Sequence, residues 1–95
     1  MAHRIAGTIT GADERGNLIS SITPEQLAGA PTDESAVIEA DGHQTLGIFP
    51  VDHDQPEMTL IATVGPSGHL ELSIVGDSAK IMLGIPVGAE ITVSW

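Results

Sequence analysis

Alternation of apolar and polar side chains with a period of two constrains this chain more than any other feature. The stretch His69-Leu70-Glu71-Leu72-Ser73-Ile74-Val75 shows it most cleanly: Leu70, Leu72 and Ile74 share one face, and His69, Glu71 and Ser73 share the other. Similar patterns run over 4–10, 17–22, 36–40, 44–49, 58–64 and 90–95. Turn residues separate them, including Asp41-Gly42, a strong hairpin signal, and the group Gly65-Pro66-Ser67-Gly68. About seven short strands at roughly even spacing point to an all-β sandwich or barrel. Laid flat, they would leave two edges open to pairing with other chains; closure removes both and encloses the apolar faces. The expected architecture is a small closed or nearly closed antiparallel β-barrel occupying residues 1–95 as a single domain.

Two short helices are expected to interrupt the strands. Thr23-Pro24-Glu25-Gln26-Leu27 carries a cap residue, Pro at the first helical position and Gln three places after the Thr, which is a capping-box pattern. The segment from Asp77 to Gly84 has a cap at Asp77 or Ser78 and a Gly stop, with Ala79, Met82 and Leu83 on one face. The stretches 28–35 and 50–57 lack periodicity and read as loops.

Composition narrows the function classes. Apolar residues make up 41% of 95, but Phe49 and Trp95 are the only Phe, Tyr or Trp residues, so the core must be aliphatic. Thirteen acids against three bases give a formal charge of -10, and no Lys or Arg lies between Gly16 and Ala79. Nucleic acid and anionic membrane are therefore excluded as expected partners, because phosphate binding needs clustered cations. The absence of cysteine removes disulfides, thiolate chemistry and Cys-type zinc sites. No apolar run approaches the roughly 20 residues of a membrane span. The first residues, Met-Ala-His-Arg, lead into a strand pattern without a signal-peptide core, so the expected location is cytoplasmic.

Motifs for chemistry are sparse. Asp52-His53-Asp54, with His43 and Glu57 nearby, is the one metal-like cluster. Adjacent residues of an extended chain point apart, so a solvated acidic loop is the stronger reading and no metal is expected; a metal-binding protein using His43, Asp52, His53 and Asp54 is the weaker alternative. His69 reads as an exposed or lightly paired histidine. No nucleophile elbow, phosphate-cradling Gly-Lys-Ser loop or Gly-x-Gly-x-x-Gly after a strand is present. No catalytic residues are assigned.

Two segments carry a family resemblance. Gly16-Asn17-Leu18-Ile19-Ser20-Ser21-Ile22 resembles the Gly-Asn-Leu-x-Thr-Asn-Ile stretch that opens the C-terminal domain of S-adenosyl-L-methionine hydroxide adenosyltransferases, relatives of the fluorinase and chlorinase enzymes. Ser67-Gly68-His69-Leu70-Glu71-Leu72, followed by Ser78-Ala79, Leu83-Gly84 and Gly88-Ala89-Glu90-Ile91-Thr92-Val93, resembles that domain's closing pattern. The chain departs from it at Arg15, Ser21, Gly65, Pro66, Val75 and Gly76, which removes several polar donors.

The resemblance implies a β-barrel that helps hold a nucleoside, while an N-terminal domain supplies the reactive residues. It also implies binding roles: Asn17 as an adenosine contact, Ser67 and Gly68 as the turn over the adenine, and Ser78 and Ala79 as the helix start beside it. The expected function is a non-catalytic barrel module that binds a nucleoside-like ligand such as adenosine or S-adenosylmethionine, or assembles into a homo-oligomer. The alternative is an accessory subunit that completes the site of a separate catalytic subunit.

Overall fold

A computed structural model describes residues 3–50, 53–65 and 67–95. Eight strands and one helix follow in the order β1 (Arg4–Ala12), β2 (Leu18–Ser20), β3 (Val37–Ala40), β4 (His43–Leu46), β5 (Ile48–Phe49), β6 (Leu60–Val64), β7 (Leu70–Ile74), α1 (Ala79–Leu83) and β8 (Glu90–Ser94). The strands form one sheet in the order β4-β3-β8-β1-β2-β7-β6-β5.

The two ends of that order are consecutive pieces of chain. Only Gly47, at φ +83°, separates β4 from β5, and it turns what the alternation suggests is one strand into two. The Gly47 N–H donates to the Ala36 carbonyl at 2.8 Å. Across the seam the Thr45 hydroxyl donates to the Leu60 carbonyl at 2.9 Å, so the sheet curls into a nearly closed barrel. The bend also reverses one pairing rule: β5 runs parallel to β6, whereas the other pairs are antiparallel.

β1 makes the opposite corner. Its first half pairs with β8, from Arg4↔Ser94 to Thr8↔Glu90, and its second half pairs with β2. A register shift between Ile9 and Gly11 marks the change of partner, as a bulge does when a long strand bends between two halves of a barrel.

The interior is aliphatic, as the composition requires. Ile9, Leu18, Ile22, Ile38, Leu70, Leu72, Ile91 and Val93 are almost wholly buried. Leu70, Leu72 and Ile74 all point inward, as the period-two pattern of β7 predicts. Asp41 and Gly42, both at positive φ, form the tight β3–β4 turn expected of Asp-Gly.

One of the two expected helices forms. α1 is capped by Ser78, whose hydroxyl accepts from the Ile81 N–H, and it stops at left-handed Gly84. Its face is only partly covered: Ala79 is buried, but Met82 is half exposed. The segment 23–27 remains a run of turns, although its capping box is made, with the Thr23 N–H donating to Gln26 Oε1 at 2.9 Å. A single capped turn does not offset the cost of helix nucleation, and Gly29 follows at once.

Candidate functional site

In an antiparallel pair, residues directly opposite share a face of the sheet. The registers Thr63↔Glu71 and Ile61↔Ser73 between β6 and β7, and Ile19↔Glu71 between β2 and β7, therefore place these side chains together on the outer surface of the barrel. That surface is not open to water throughout. Glu71 is 1% exposed and Thr63 7% exposed, although both lie on the face where alternation leads one to expect solvated side chains.

Glu71 is held from one side only. Its Oε2 accepts from the Ser67 hydroxyl at 2.6 Å and from the Ser67 N–H at 3.4 Å. The turn that carries Ser67 is closed by Gly68, whose N–H donates to the Gly65 carbonyl at 2.9 Å. Gly65 packs so closely on the carboxyl group that a β-carbon there would lie 2.5 Å from both of its oxygens. Glu71 Oε1 and Thr63 Oγ1, by contrast, are buried with no hydrogen-bond partner among the described residues. A buried polar oxygen without a hydrogen-bond partner costs on the order of 1–3 kcal/mol, so these two atoms on directly opposed residues call for a structural explanation.

Both residues line an open cleft of about 500 Å³. Its far wall comes from the 13–17 turn and the start of α1. Asn17 and Ser78 line it together because Gly16, at φ +83°, lets the two segments touch. The Gly16 carbonyl accepts from the Lys80 N–H at 2.8 Å, and a β-carbon at position 16 would overlap the Ser78 hydroxyl. The Asn17 amide is fixed by donation to Asp13 Oδ2 at 3.2 Å, and its backbone N–H donates to Asp13 Oδ1 at 2.9 Å. Arg15 brings a positive charge to the rim, against the acids Glu71 and Asp77.

The residues expected from sequence thus fall in three places. Asn17 and Ser78 line the cleft. Ser67 acts at one remove, by gripping Glu71, and exposed Gly68 shapes its turn. Ala79 is fully buried and joins the aliphatic core. Sequence reading did not single out Thr63 and Glu71. The one available signal was Ser67, four residues before Glu71 and joined to it by a tight turn.

Among the described residues, the members of the metal-like cluster form no group of three. His53 Nδ1 accepts from the Gln55 N–H at 3.1 Å, and the ring lies edge-on to Phe49. His43 opens β4, paired across its hairpin with Ala40. Among the described residues no three His, Asp or Glu side chains converge as a metal site. Asp52 lies outside the described residues, as does Pro66 of the expected turn. His69 is lightly paired, its Nδ1 lying 3.0 Å from the Ser20 carbonyl.

Comparisons with known proteins agree with the barrel fold. Residues 7–92 match the family model described as the SAM hydroxide adenosyltransferase C-terminal domain. Among solved structures, a conserved hypothetical protein from Thermus thermophilus is similar at 25% identity with a TM-score of 0.74, over 94% of this chain and 34% of that one. An uncharacterized conserved protein from Thermotoga maritima shares the fold at 17% identity with a TM-score of 0.75, over 99% of this chain and 39% of that one. The chain therefore spans little more than a third of the length of these neighbours. No curated protein matches it.

Proposed function

This chain belongs to the SAM hydroxide adenosyltransferase C-terminal domain family, and from that premise we propose that it is a non-catalytic barrel module whose outer cleft binds a nucleoside-like small molecule. The observation that carries the proposal is the pair of buried, unpartnered polar atoms, Thr63 Oγ1 and Glu71 Oε1, in the wall that faces Asn17 and Ser78. A cleft of about 500 Å³ is within the usual size of small-ligand sites.

Charge selects among nucleosides. Glu71 and Asp77 outnumber Arg15 in the cleft, and the whole chain carries -10. Phosphate groups are repelled there, so adenosine and cationic S-adenosylmethionine are favoured over nucleotides. Adenosine or S-adenosylmethionine at roughly tenfold above Kd should raise the melting temperature by about 7 °C. Adenosine triphosphate should give no rise. A flat response to all three at millimolar concentration would count against the reading.

A second reading has its own support. Ile81 is 79% exposed and Val87 70% exposed, on α1 and the turn after it, next to the Ser78 wall of the cleft. An accessory chain that completes the cleft of a separate catalytic subunit would cover this surface. Affinity capture with the tagged chain from its native host, compared with an Ile81→Asp variant, distinguishes the readings: a partner lost in the variant favours the accessory role.

A further inference from the structure

We infer that one end of the β3–β8 pair carries a second binding site, for a short aliphatic diamine. It goes beyond the nucleoside reading and shares no residue with that cleft.

The strand register builds this site. Glu39 lies opposite Thr92 and Ala40 opposite Ile91, so the same register carried one residue further sets Asp41 against Glu90. Residues two apart in a strand share a face, which gives a rectangle of Glu39, Thr92, Asp41 and Glu90 on the outer surface of the barrel. Its sides measure about 5 Å across the strands and about 7 Å along them. All four residues line a small cleft of about 250 Å³, together with Ala40 and Ala89.

Two features ask for a cation there. Thr92 is only 8% exposed although it stands on the outer face, and its hydroxyl has no hydrogen-bond partner among the described residues. Ala6, its neighbour on β1, offers it no polar group. The three carboxylates also repel one another. Among the described residues the cation paired with them is Arg4, 3.5 Å from Glu90 on the open rim, which leaves two of the three charges uncompensated.

A single metal ion does not answer this arrangement. Hard cations draw their oxygen ligands to about 2.0–2.6 Å, whereas these carboxylates are spread over about 7 Å. No three acids converge on one point among the described residues. Two ammonium groups held apart fit instead. One sits between Asp41 and Glu90; the other donates to Glu39 and to the Thr92 hydroxyl oxygen, since an ammonium carries donors only. An extended four-carbon chain spans the long side of the rectangle. With Arg4, the positive charges then match the three carboxylates one for one. The formal charge of -10 adds a long-range attraction for such a dication.

The test is an amide NMR titration of the chain with 1,4-diaminobutane and with 1-aminobutane. It is run in about 0.15 M salt, where exposed charges are screened beyond roughly 8 Å. The diamine should shift Glu39, Asp41, Glu90 and Thr92, and bind about tenfold or more tightly than the monoamine. Glu39→Gln should weaken the diamine about tenfold. Thr92→Val, close in shape to the wild type, should weaken it severalfold and serves if Glu39→Gln does not fold. Glu25→Gln removes the same charge from the exposed 23–27 turns, outside the cleft, and should change nothing. Equal affinities for the two amines, a loss in Glu25→Gln as large as in Glu39→Gln, or no shift at millimolar diamine would each overturn the inference. None of these results touches the nucleoside reading, which rests on the other cleft.

Discussion

The backbone of Gly16 lies directly beneath the side chain of Ser78, close enough that no β-carbon fits between them. This contact joins the turn after β1 to the first residue of the α1 cap, and so holds Asn17 and Ser78 on one wall of the cleft. Gly16→Ala adds both a clash and an alanine at φ +83°. It should cost about 2–4 kcal/mol in urea unfolding, the sum of overpacking and left-handed strain. Gly42→Ala is the control: φ is +84° but no atom lies within 4 Å, so only the strain, about 1–2 kcal/mol, should appear.

The grip of Ser67 on Glu71 predicts a local penalty of another kind. Ser67→Ala removes the 2.6 Å hydroxyl donor and leaves only the long contact from the backbone N–H. A buried carboxylate that loses a donor destabilises by about 1–3 kcal/mol, measurable by chemical denaturation.

Asp33 offers a pH-dependent test. The Ser35 hydroxyl and then the Ser35 N–H donate to its carboxylate, and these bonds hold its pKa below the ordinary aspartate value. A pKa lowered by folding stabilises the native state above the unfolded value, about 3.9, and that contribution disappears as pH falls through the folded value. Asp33 is fully exposed, so the readout is its own titration rather than global stability. A carboxyl ¹³C titration should place its midpoint below that of an unfolded reference peptide, and Ser35→Ala should move it upward.

The capped turn at Thr23 should contribute modestly although no helix follows. Thr23→Ala removes the hydroxyl that accepts from the Gln26 N–H at 3.3 Å. The expected loss is about 0.5–1 kcal/mol by thermal melting. Buried Leu27 is the residue this turn positions, so Leu27→Ala should cost more, about 2–4 kcal/mol.

The barrel was legible because alternation states which residues face inward, and β7 obeys it at Leu70, Leu72 and Ile74. Alternation does not state what covers the other face. Glu71 reads as solvated from its neighbours in sequence, yet it is buried, with Gly65 and Ser67 against its carboxyl group. The split of one expected strand at Gly47 was hidden for a related reason. A glycine within an alternating run permits a left-handed kink without requiring one, and the Gly47 bond to Ala36 is non-local. Asn17 and Ser78 were named through family resemblance; their meeting depends on Gly16, whose role appears only when two distant segments pack.

The most direct test of the account is an amide NMR map of the chain titrated with adenosine. Binding in the cleft should shift the resonances of Asn17, Thr63, Glu71 and Ser78 together, while those of Glu39 and Gln44, on the β3–β4 hairpin, stay still. Shifts confined to that hairpin, or none up to millimolar adenosine, would contradict it.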